Sequence, residues 1–69
     1  LKQAIEDYTL AIKANPGYAD AYYNRGLAHL ANNDKPGAVT DFQKAAELYQ
    51  KLGRKDDYQQ ALKKIKELQ

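Results

Sequence analysis

An all-α fold of about four antiparallel helices, paired as helix-turn-helix units and stacked side by side, is predicted by three features of these 69 residues. Apolar residues recur at intervals of three and four, the period of a helix with one buried face. The chain matches itself at an offset of 34 residues. Three clusters of Asn, Pro, Asp and Gly cut it into segments of helical length. No strand pattern competes: apolar and polar residues never alternate for long, and Ile5, Thr9, Ile12, Val39, Thr40 and Ile65 are the whole β-branched complement.

The first helix is expected at about residues 1 to 14. Leu1, Ala4, Ile5, Tyr8, Ala11 and Ile12 form one apolar stripe, with Glu6 and Thr9 facing outward. Asn15, Pro16 and Gly17 end it, because Asn tolerates a left-handed cap and Pro cannot continue a helix. The second helix, about 18 to 31, is apolar nearly all round through Ala21, Tyr22, Tyr23, Gly26, Leu27, Ala28, Leu30 and Ala31. A helix of that kind needs neighbours on more than one side. Gly26 costs roughly 1 kcal/mol relative to Ala in mid-helix, which fits a close approach by another helix. Asn32, Asn33 and Asp34 make the second break, Asn33 suited to positive φ and Asp34 placed to cap the next helix. The third helix, about 35 to 52, accepts Pro36 in its first turn and buries Ala38, Val39, Phe42, Ala45, Ala46 and Tyr49. Gly53, after the basic Lys51, closes it. The fourth is expected at 57 to 68, opened by Asp57 with Gln60 three residues later in a capping-box arrangement. Connections this short turn each helix antiparallel to the one before.

The internal match is specific about size. At the 34-residue offset Ala4, Ile5, Asp7, Tyr8 and Ala11 fall on Ala38, Val39, Asp41, Phe42 and Ala45, with Ile12 on Ala46 and Ala14 on Leu48. Such a period marks units that bury their apolar faces only against one another.

Composition narrows the rest. So short a chain buries apolar surface inefficiently, so stability must come from tight helix packing or from a partner. No Cys means no disulfide and no thiolate metal site, and a single His cannot build an imidazole cluster. No metal and no cofactor are expected. With 43% apolar and 29% charged residues the composition suits a soluble globular protein, while a mean hydropathy of -0.83 is polar enough that only the helical patterning argues against disorder. No apolar run nears the roughly 20 residues of a membrane span. Net charge is +2, divided as three basic and four acidic residues over 1 to 34 and eight and five over 35 to 69. That is too mild an excess for a nucleic-acid partner. The chain starts at Leu1 and reads as an excerpt lacking its true N-terminus; the lack of Cys permits a cytoplasmic location.

The period, the helix pairing and the run Tyr22, Gly26, Ala38, Phe42, Ala45 resemble the tetratricopeptide repeat. On this resemblance residues 1–18 are the second helix of a truncated repeat, 19–52 a complete repeat, and 53–69 a C-terminal capping helix in the next first-helix slot. There Lys63, Lys64, Lys66 and Glu67 would give it a polar outer face. The whole would be a short right-handed α-solenoid. The sequence departs from the family at Arg25 for Leu, His29 for an aromatic, Asn33 for Gly, Lys35 for Tyr and Gln50 for Pro. Arg25 and Lys35 exchange packing for charge and are expected to loosen the unit, while Gln50 lets the third helix run on.

Catalysis has little to stand on. His29 has Arg25 and Asn32 at helical spacing, neither a carboxylate, and reads as a packing residue. Glu6 with Asp7 and Asp56 with Asp57 are sequence neighbours that diverge on a helix, and no Gly-rich phosphate loop is present. Binding has more support. The resemblance implies a non-enzymatic scaffold for protein-protein interaction, its concave groove taking a peptide or partner helix along Asp20, Tyr23, Asn24, Leu27 and Leu30. The competing reading is that the terminal helix buries part of this stripe. Of the Lys and Asn clamp by which some family members hold acidic tails, Asn24 alone matches, so no such clamp is expected. Lys51, Arg54, Lys55, Lys63, Lys64 and Lys66 read as a solvated helix end, with Asp56, Asp57 and Glu67 among them. The alternative function is self-association as a homo-oligomer, with Leu1, Ile5, Tyr8 and Ile12 covered by a second copy.

Overall fold

The computed structural model describes residues 2–69. They form four helices: α1 (Lys2–Ala14), α2 (Ala19–Ala31), α3 (Lys35–Leu52) and α4 (Lys55–Leu68). Leu1, part of the apolar stripe expected for the first helix, lies outside the described residues. Each helix packs chiefly on its neighbours in sequence, giving a slab of 30 × 30 × 14 Å.

The turns arise from local chemistry. Pro16 stops α1, and Asn15 accepts the Gly17 N–H through its side-chain oxygen at 3.3 Å. Its backbone does not take the left-handed conformation expected, because the side chain supplies the turn instead. Asn33 does take positive φ, at 60°. Asp34 caps α3 by accepting the Gly37 N–H at 3.0 Å, with Pro36 in the first turn. Gly53 ends α3 at φ 73°. One boundary differs from the expectation: α4 begins at Lys55, two residues before Asp57. Asp56 and Asp57 sit in its first turn, where carboxylates complement the helix dipole, and Asp57 accepts from Arg54 instead of acting as a cap.

The core runs between α2, α3 and α4. Ala38, Phe42, Ala45, Ala46 and Tyr49 of α3 are buried, as are Ala19, Ala21, Gly26 and Ala28 of α2 and Ala61 of α4. Gly26 is required by closeness: a Cβ there would stand 2.8 Å from Cε1 of the fully buried Phe42. In α1, Ile12 is buried and Tyr8 half-buried, while Leu10, outside the expected stripe, is 63% exposed.

Two polar placements depart from the sequence reading. Asp41 is 3% exposed and grips Arg25, whose Nε and Nη2 donate to its two oxygens at 2.8 and 2.7 Å. Thr9, expected to face outward, is half-buried: its hydroxyl donates to the Ile5 carbonyl at 2.7 Å and accepts from Arg25 Nη1 at 3.2 Å. Arg25 therefore ties α1, α2 and α3 together instead of loosening them. A fork of fixed N–H donors satisfies two partners at once, and the charge is neutralised where it is buried.

Candidate functional site

The five residues expected to line a groove are all on α2, in two settings. Asp20, in the first turn, is half-exposed and engaged by neighbouring helices. It accepts from the Tyr49 hydroxyl at 2.6 Å and from Arg54 Nη1 at 3.2 Å. The Tyr49 hydrogen bond, then the Arg54 guanidinium, holds its carboxyl below the usual carboxylate range. Burial, reinforced by the bond to Asp20, raises the Tyr49 phenol. Arg54 lies over the Tyr49 ring, 4.9 Å from its centroid, and donates through Nε to Asp57 at 2.8 Å. Asp20 and Arg54 are 34 residues apart, one period of the internal match, with opposite charge. That coincidence is the sequence signal that finds this corner, because stacked repeats bring equivalent positions side by side.

Tyr23, Asn24, Leu27 and Leu30 continue the stripe. The Tyr23 ring is tilted against Phe42, centroids 5.2 Å apart, and against Tyr49 at 6.4 Å. It also lines a cavity of about 360 Å³ whose other walls are Gln60, Lys63, Lys64 and Glu67 of α4. Burial, with the negative charges of Glu67 and Asp57 behind it, raises the Tyr23 phenol, so the hydroxyl remains a donor. Leu27 is 38% exposed; Asn24 and Leu30 are half-buried. The stripe thus has one residue facing α4 across a cavity and one open to solvent a helical turn further on. Of the residues expected on an outer polar face, Lys63, Lys66 and Glu67 are exposed. Lys64 is half-buried, and it borders the cavity with Lys63, because α4 turns that side toward α2.

His29 is not the isolated packing residue its sequence neighbours imply. Its Nδ1 is 3.3 Å from Asp34 Oδ2 and its Nε2 3.3 Å from Asp41 Oδ2. Asp34 caps α3 and Asp41 lies two turns into it, both across the turn from α2, where same-helix spacing does not look. Of the stripe expected to meet a second copy, Ile12 is buried within the fold, Ile5 and Tyr8 are half-buried and Leu1 lies outside the described residues, while a depression on α1 lies around Ile5 and Leu10.

Consecutive antiparallel helices, close-packed through small residues and an aromatic, define a helical-repeat protein, an α-solenoid of stacked helix-turn-helix units. Residues 1–53 match the family model described as Tetratricopeptide repeat. The chain belongs to that family, a non-enzymatic scaffold fold whose general role is protein-protein interaction. It is also similar to RNA polymerase II-associated protein 3 of Xenopus tropicalis, 49% identical over 45 residues. The aligned part is 65% of this chain and 7% of that protein, so the chain spans a small fraction of the curated relative it matches. No solved structure matches it. Among the described residues no helix is long and apolar enough to cross a membrane.

Proposed function

We propose that the chain is a non-enzymatic interaction module that holds an extended peptide or a partner helix along α2, with Tyr23, Asn24, Leu27 and Leu30 as the contact stripe. The observation that carries this reading is the cavity beside Tyr23, together with the exposed Leu27 one helical turn further along α2. Affinity would come from desolvating Tyr23 and Leu27 under an apolar or aromatic partner side chain. Asn24 would add a hydrogen bond to the partner backbone, and Asp20 would keep the first turn of α2 in place through Tyr49 and Arg54.

Peptides selected by display against the 69-residue chain give the probe. Leu27→Asp is expected to weaken their binding by about tenfold or more at unchanged helicity, since a carboxylate then meets an apolar anchor. Leu52→Asp, at an exposed site on α3, is expected to leave binding alone. The reverse pattern, with Leu52 sensitive and Leu27 indifferent, overturns the groove.

A further inference from the structure

One face of α1 carries Glu6, Thr9, Leu10 and Lys13, spaced at three, four and seven residues so that they fall along a single helical seam, with Ile5 at its edge. These five side chains line a shallow depression of about 340 Å³. Leu10 is the most open large apolar side chain among the described residues. Glu6 and Lys13 make no ion pair among the described residues, as is also true of Asp7, Asp56 and Glu67, so both charges on the seam are available to a partner.

We propose that this seam docks on the same seam of a second copy of the chain, α1 against α1, antiparallel about a two-fold axis. A two-fold contact requires a surface complementary to itself. With the axis passing between Thr9 and Leu10, Glu6 of each copy lies opposite Lys13 of the other, so one operation forms two ion pairs. Leu10 and Thr9 meet at the centre, and Ile5 extends the apolar patch. A parallel arrangement would set Glu6 against Glu6 and Lys13 against Lys13, so the charges select the antiparallel one. One helix pair is a small interface, below the roughly 1,200 Å² of stable complexes, so the dimer belongs to the weak class. The seam lies on α1 and the groove residues on α2, so the two readings stand or fall separately.

The test is sedimentation of the 69-residue chain from about 10 µM to about 1 mM, a span suited to weak association. The average mass should climb from 7.8 kDa toward twice that value. Glu6→Lys and Lys13→Glu each turn two attractions into two repulsions and should weaken association about tenfold, with circular dichroism unchanged. An equimolar mixture of the two variants should associate like the wild type, because the mixed dimer has every charge paired again. A mixture no better than either variant alone overturns the proposal. So does a monomer at every concentration, which leaves the seam to a helix of a different chain. Association indifferent to both charges and lost with Leu27→Asp moves the contact to α2 and overturns it equally.

Discussion

Arg25 and Asp41 show why a single residue cannot be judged by what its own position usually holds. Arg25 stands where the family has Leu, which alone reads as packing lost. Asp41 stands on the face of α3 between Ala38 and Ala45, both fully buried, which alone reads as a charge misplaced. Each is the other's explanation. The clue was in the sequence: Asp41 lies three residues after one core alanine and four before another, so its side chain had to be buried and needed a cation. The offset comparison hid this by pairing it with Asp7, which is exposed. Removing one partner strands a buried charge, so Arg25→Leu is expected to cost about 3 kcal/mol in urea unfolding. Arg25→Leu with Asp41→Leu should recover most of that loss, since an apolar pair of similar volume often replaces a buried ion pair without penalty. Equal loss in single and double variants would show that Thr9, not Asp41, is the Arg25 partner that matters.

Helices are the scale at which sequence patterning is most informative, and here the number of helices and the three breaks were legible. Pro16, Asn33, Asp34 and Gly53 each do a local job that depends on no distant residue. The start of α4 was not legible. Asp57 resembles a cap in sequence, but Arg54 takes its carboxylate and Asp20's together, and the helix extends back to Lys55. A tertiary pairing thus overrode a local signal. The second break offers two opposed substitutions on adjacent residues. Asn33→Gly is expected to raise stability by about 0.5–1 kcal/mol, because glycine holds positive φ without strain from a Cβ. Asp34→Ala should lower it by about 1 kcal/mol, through loss of the cap to Gly37. Thermal melts by circular dichroism read both, and a neutral Asp34→Ala would mean the capping bond contributes nothing net.

For the molecule as a whole, the central matter is how α4 is fixed against α2, since the two are separated in sequence by all of α3. Ala61 and Tyr58 of α4 share an apolar cluster with Ala19 of α2 and Ala45, Ala46 and Tyr49 of α3, and a polar tie is added at its edge: Asp20 of α2 is held by Tyr49 of α3 and by Arg54 at the head of α4. The cavity bordered by Tyr23 and the α4 lysines lies between the two helices that this corner joins. Sequence reasoning expected Asp20 to line a groove and missed its contacts with Tyr49 and Arg54, since these partners lie 29 and 34 residues away. The corner has a pH signature whose sign is set by the direction of one shift. Asp20 titrates lower when folded than its unfolded value of about 3.9, so the unfolded chain binds its proton first as pH falls. The stabilisation is present in full above that unfolded value and drains away as acid carries the pH down through the folded one. Tyr49→Phe deletes the larger cause of the shift. The variant should be less stable than the wild type by about 1 kcal/mol near pH 7, and the gap should narrow as pH drops below about 4. Melts of both proteins between pH 7 and pH 3 measure it. A gap that stays constant over that range would mean the Tyr49 hydroxyl stabilises the fold without engaging the ionised Asp20, and the corner would not be an electrostatic anchor.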